Sequence, residues 1–187
     1  LAPEPAPALE PAFEPAPTAL PAAQPPDAAP AVNHMPAPRT RLMITHRAQA
    51  RTASSDSDDG TQRFRPGERI RLRVVASADA HVYCYLQDES QRVLRFYPNR
   101  FSPSARVRAG QPLEIPGRMR FELVANRKQV PETVACFAAE RDLAGELPAA
   151  VYGSDFATLP VASLDEVGSA FARDASVAEA RFRVAFR

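Results

Sequence analysis

Apolar residues recur at every second position along Ile70, Leu72, Val74 and again along Val82, Cys84, Leu86, the period of a β-strand with one buried face. Arginines occupy the places between the first set. The alternation predicts strands over Arg41–Arg47, Glu68–Ala76, His81–Asp88 and Arg92–Tyr97, the last two joined as a hairpin through Glu89-Ser90-Gln91. Pro66-Gly67 presets a tight turn ahead of the second strand, because proline fixes φ and glycine accepts the positive φ that follows. Beyond Asn99 the pattern predicts a short extended piece at Val107, another at Leu113–Pro116, and strands at Phe121–Ala125, Glu132–Ala139 and Ala178–Phe186. One helical turn is expected over Arg141–Leu147, ending before Pro148. A helix is expected from an N-cap at Ser163 to about Arg173, with Glu166 completing the capping-box pattern and Val167, Ala170 and Phe171 inward. Strands at this spacing predict an all-β, immunoglobulin-like sandwich of seven or eight strands with one short C-terminal helix, over residues 41–187.

Composition separates a second region. Twelve of the 20 prolines fall in the first 38 residues, alternating with alanine and a few glutamates. Such a stretch has too few apolar side chains to bury a core and favours extended polyproline II. Residues 1–40 are therefore expected to be a disordered spacer, reaching on the order of 100 Å when fully extended. A passive linker, a spacer spanning a fixed gap and a Pro-rich ligand all fit this composition. Glu4, Glu10 and Glu14 resemble the proline-glutamate spacers that cross the periplasm in energy-transducing envelope proteins.

Charge divides along the same boundary. Residues 1–61 carry four basic and seven acidic side chains, and residues 62–187 carry 19 and 15. A folded part near +4 lacks the concentrated basic face of a nucleic-acid binder. Of the 23 basic residues 22 are arginine and only Lys128 is lysine, a bias that a GC-rich genome explains together with the alanine and proline. No apolar run reaches the 18 or so residues of a membrane-spanning helix. The chain starts at Leu1, which a removed leader or a cut from a longer protein would each explain.

Four motifs carry a family resemblance. They are Phe64-Arg65-Pro66-Gly67-Glu68, the aromatic strand His81-Val82-Tyr83-Cys84-Tyr85, the hairpin end Arg95-Phe96-Tyr97-Pro98-Asn99, and Ala109-Gly110-Gln111-Pro112-Leu113-Glu114-Ile115-Pro116. Over roughly Arg41 to Pro148 the chain resembles the bacterial family catalogued as domain of unknown function 4384. Two places depart from its pattern, Ala80-His81 for a glycine-aromatic pair and Glu89-Ser90-Gln91 for an aspartate-glycine turn. The resemblance implies a small β-sandwich module without activity of its own, appended to envelope or secretion-associated proteins, protein kinases or caspase-like proteases. It supplies no catalytic residues.

Candidate chemistry is sparse. His34, His46 and His81 have no partner at metal-ligand spacing, so no zinc site is expected. The acidic loop Asp56, Asp58, Asp59, Gly60 breaks calcium-loop spacing, its nearest glutamate, Glu68, falling one place late. Cys84 and Cys136 lie mid-strand, 52 residues apart. They could stand on facing sheets and form an inter-sheet disulfide in an oxidising compartment, or remain two buried thiols. Arg69, Arg71 and Arg73, backed by Arg63, Arg65, Arg92 and Arg95, would project from one sheet face. That face could bind an acidic protein partner, peptidoglycan or lipid head groups, or be simply solvated. Tyr83, Tyr85, Phe96 and Tyr97 are expected to cluster opposite Cys84 or across the hairpin, as core. No cofactor, metal or catalytic residue is expected.

The reading is a non-catalytic interaction or assembly module of a bacterial cell-envelope or secretion-associated complex. It would dock protein partners through a sheet edge or through Arg69, Arg71, Arg73, Arg92 and Arg95. Periplasmic or envelope localisation is expected, with a cytoplasmic origin open. The alternative is a regulatory sensor domain of a signalling enzyme such as a Ser/Thr kinase or caspase-like protease.

Overall fold

A computed structural model describes residues 40–46, 61–174 and 176–187. The spacer expected over residues 1–40, with His34, and the loop of Asp56, Asp58 and Asp59 lie outside the described residues, Thr40 excepted.

The chain is all-β, with eleven strands and two short helices among the described residues. A small sheet holds β1 (Leu42–His46), β4 (Leu72–Ala76) and β8 (Leu113–Ile115), with β4 central. A larger sheet runs β2 (Thr61–Phe64), β11 (Ala178–Phe186), β10 (Glu132–Ala139), β5 (Ala80–Gln87), β6 (Val93–Tyr97), and β7 (Arg106–Val107) also pairs with β5. A two-stranded ladder joins β3 (Arg69–Ile70) to β9 (Leu123–Val124). Neighbours in these sheets are antiparallel, except that β2 and β11 run parallel.

The two main sheets form a sandwich whose inner faces meet as the alternation requires. Ile44, Leu72, Val74 and Ile115 from the small sheet pack with Val82, Cys84, Val134, Cys136, Phe182 and Val184 from the large one. An edge-on ring contact of His46 with Phe64 at 4.8 Å joins the two layers, and Phe64 meets Phe182 of its own sheet at 6.3 Å.

A second core lies on the far face of the large sheet. Tyr83 and Tyr85 from β5 and Ala135 and Phe137 from β10 are covered by α1 (Ala149–Tyr152), α2 (Leu164–Phe171) and their connections. Phe137 stacks on Phe171 with centroids 4.5 Å apart. Both faces of β5 and β10 are thus buried, and Tyr83 and Tyr85 do lie opposite Cys84. Phe96 and Tyr97 instead join Cys84 in the sandwich core. The reason is a bulge: Cys84 pairs with Tyr97 and Tyr85 with Arg95, so Phe96 is one residue extra on β6.

Local chemistry explains the element ends. Gly67 takes φ +78° at the turn Arg65–Glu68, closed by the Glu68 N–H donating to the Arg65 carbonyl at 2.9 Å. Ser163 caps α2, its hydroxyl accepting from the Glu166 N–H at 3.3 Å, while the Glu166 carboxylate accepts from the Ala162 N–H at 2.7 Å. The helical turn expected over Arg141–Leu147 is present at 143–147, where the N–H groups of Glu146 and Leu147 donate to the Leu143 carbonyl at 2.9 and 3.0 Å. Pro148 follows that turn and also stands at the start of α1, where a missing N–H costs nothing.

Candidate interaction surface

The strand expected over Glu68–Ala76 is interrupted at Arg71, and the interruption shapes the surface around it. Arg69, Arg71 and Arg73 alternate with buried Ile70, Leu72 and Val74, so all three point to solvent. In the neighbouring chain segment Ile115 pairs with Leu72 and Leu123 pairs with Ile70. Residues 116–122 therefore leave the sheet, and none of the described residues stands in register opposite Arg71. On the opposite edge the Arg71 N–H donates to His46 Nδ1 at 3.4 Å. Burial holds the His46 imidazole below its ordinary value against that contact and the charge of Glu68.

The excursion has a defined root. Gly117 turns at φ +56°, where a Cβ would stand 2.5 Å from the Glu114 carbonyl oxygen. The Met119 N–H closes a turn on the Pro116 carbonyl at 2.9 Å. Phe121 packs against Phe156 at 5.0 Å and Phe96 at 6.5 Å. Between the strand and this lip lies a groove of ≈ 340 Å³ lined by Arg69, Arg71, Glu114, Met119, Phe121 and Glu122, among others.

Ion pairs occupy its rim unevenly. Arg69 meets Glu122 at 2.9 Å and Arg73 approaches Glu114 at 3.9 Å, with 67% and 51% of the arginine side chains exposed. Arg71, between them, has no acidic partner among the described residues.

Arg92 and Arg95 do not belong to this surface, which corrects the grouping expected from their sequence. Both are in or beside β6 of the other sheet. Arg92 closes the β5–β6 hairpin on Asp88 at 2.8 Å. Arg95 is 5% exposed; two residues on from Val93 and paired with Tyr85, it faces the second core. There it donates to the carbonyls of Tyr152 at 2.6 Å, Gly153 at 3.0 Å and Pro98, and lies over the Tyr152 ring at 4.2 Å. Its hydrogen-bonding capacity is spent on holding α1.

The cysteines meet within one sheet, not across two. Cys84 and Cys136 are register partners on β5 and β10, with Cα atoms 4.1 Å apart, joined as a disulfide and fully buried. His81 is on β5 and His46 on β1, so the two are not brought together. Among the described residues no group of three or more His, Cys, Asp or Glu is placed to hold a metal ion. No helix there is long and apolar enough to cross a membrane.

The hairpin end Phe96-Tyr97-Pro98-Asn99 has a structural task. Asn99 is buried, donating to the Phe96 carbonyl at 2.6 Å and accepting from the N–H groups of Phe101 at 2.8 Å and Ser102 at 3.0 Å. It also donates to Met119 Sδ at 3.2 Å, which anchors the lip of the groove. The family model described as domain of unknown function (DUF4384) matches residues 63–142, a span that holds this turn and all four sequence motifs. Over this span the chain is similar to DUF4384 domains. No curated protein and no solved structure matches the chain. The matched span holds the arginine row, the groove and both cysteines. The DUF4384 match stops at Asp142, before α1, α2 and β11, so the layer over Tyr83 and Tyr85 is built by residues beyond it.

Proposed function

We propose that this chain is a non-catalytic protein-interaction or assembly module of a bacterial cell-envelope or secretion-associated complex. The observation that carries the reading is the division among its arginines. Arg95 is consumed internally and Arg92 closes a hairpin, whereas Arg69, Arg71 and Arg73 line an exposed strand whose central guanidinium has no acidic partner among the described residues. A row of exposed cations of fixed spacing favours an acidic protein surface. The edge of β6 is closed by residues 156–159, while β1 and β8 end the small sheet and provide backbone beside the row. The buried disulfide fits an oxidising compartment. The Pro-rich segment would act as the tether.

Site-specific photo-crosslinking in native envelope fractions tests this. A crosslinker at position 71 should give a discrete protein adduct that one at position 127 does not. Identical adduct patterns at the two positions, or none at 71, would remove the arginine row as a docking surface.

A further inference from the structure

Among the described residues the cross-strand ladder lacks one rung. Arg69 has Glu122 and Arg73 has Glu114, but the chain leaves the sheet at the place where the residue opposite Arg71 would stand. The lip that replaces it adds Arg118 and Arg120, both exposed and without an acidic partner among the described residues. Of the arginines, Arg69 and Arg71 line the groove itself with Glu114 and Glu122, and Arg71 is the one without an acidic partner among the described residues. One part of the groove's mostly polar lining is apolar, from Met119 and Phe121. At ≈ 340 Å³ it is the size of one or two side chains, near the lower end of the roughly 300–1,000 Å³ typical of ligand pockets.

We propose that this groove binds an extended acidic peptide of a partner protein, whose carboxylate takes the place opposite Arg71 that none of the described residues fills, while a neighbouring apolar side chain enters beside Met119 and Phe121. In an extended segment side chains two residues apart share a face, which matches a carboxylate site next to an apolar part of the lining. Glu114 and Glu122 on the rim disfavour a multiply charged phosphate or a phospholipid head group and tolerate a single carboxylate bound to one guanidinium. The inference rests on the interaction-module reading above and names the ligand of that surface.

The test uses the full 187-residue chain. Its probes are an acetylated eight-residue peptide alternating glutamate with leucine, the same peptide with glutamine for glutamate, and phosphatidylglycerol vesicles. Fluorescence anisotropy should show saturable binding of the acidic peptide, roughly tenfold weaker for the glutamine peptide, as expected for the loss of one charge-assisted hydrogen bond. Arg71→Ala should weaken the acidic peptide by a similar factor and Arg127→Ala should not. Gly117→Ala, which pushes the lip off the Glu114 carbonyl, should weaken it with Arg71 intact. Amide shifts on binding should concentrate at residues 69–72 and 114–123.

Equal affinity for the two peptides, indifference to Arg71→Ala, shifts elsewhere on the domain, or preference for the vesicles would each overturn the proposal. If crosslinking at position 71 still captures a protein while the acidic peptide fails, only the ligand class is wrong. If both fail, the interaction-module reading falls with it.

Discussion

Cys84 and Cys136 stand directly opposite each other on adjacent antiparallel strands, their Cα atoms 4.1 Å apart. The short separation suits a pair of residues that do not exchange backbone hydrogen bonds, where side chains approach most closely. The disulfide therefore clamps β5 to β10, the two strands that are buried on both faces and carry both cores. Thiol titration of the denatured, unreduced protein should find no free thiol. Closing a loop with a sequence separation of 52 contributes about 4 kcal/mol on the chain-entropy account, so reduction should lower unfolding free energy by a sizeable part of that. Two reactive thiols on denaturation would contradict the clamp.

The arginines should divide cleanly in denaturant titrations. Arg95→Ala leaves three carbonyls without their donor and uncovers Tyr152, and should cost about 3 kcal/mol. Arg71→Ala is a surface change and should stay within about 0.5 kcal/mol. Comparable losses from both would show that Arg71 is structural.

Gln91 occupies the left-handed region at φ +62° in the β5–β6 turn, where the Asp88 carbonyl accepts its N–H at 2.9 Å. A side chain there is strained, and glycine relieves the strain at some cost in chain entropy. Gln91→Gly should raise stability by about 0.5–1 kcal/mol, read as a shift in urea midpoint without a change in slope.

Much of the sandwich is legible in the alternation of side chains, and what escapes it depends on a distant partner. β10 and β11 coincide with the expected strands residue for residue: Phe182 and Val184 bury at period two, while β10 is a continuous apolar run bounded by polar residues and buried on both faces. β2 has no such alternation. Thr61–Phe64 becomes a strand through parallel pairing with the chain's last residues. The break at Arg71 is equally hidden, since Arg69 to Val74 alternates without a flaw; Pro116-Gly117 in another segment imposes it. Arg95 shares a face with Val93, and only the layer built by α1 and α2 makes that face a second core instead of solvent. The spacing of the cysteines is compatible with facing sheets and with neighbouring strands alike, and only the register decides.

Asp155 anchors the exposed arginine beside the hairpin end. Hydrogen bonds from the Arg100 side chain, reinforced by its N–H and its charge, outweigh partial burial and lower the Asp155 carboxyl from 3.8 to about 2. A carboxyl with a depressed folded-state pKa adds stability above its unfolded value and loses it as pH falls through the folded one. The wild type should therefore exceed Asp155→Asn in stability at neutral pH, and the difference should close between about pH 4 and pH 2. A difference that persists unchanged to pH 2 would exclude this pair as its source.

The docking role of the arginine row is tested most directly by partner recovery from native envelope extract with Arg69, Arg71 and Arg73 together changed to glutamate. Arg127 and Lys128 changed to glutamate serve as the control. Recovery should fall at least tenfold for the first variant and stay at the wild-type level for the control, with both proteins retaining wild-type unfolding midpoints. Undiminished recovery by the Arg69, Arg71, Arg73 variant would contradict the account.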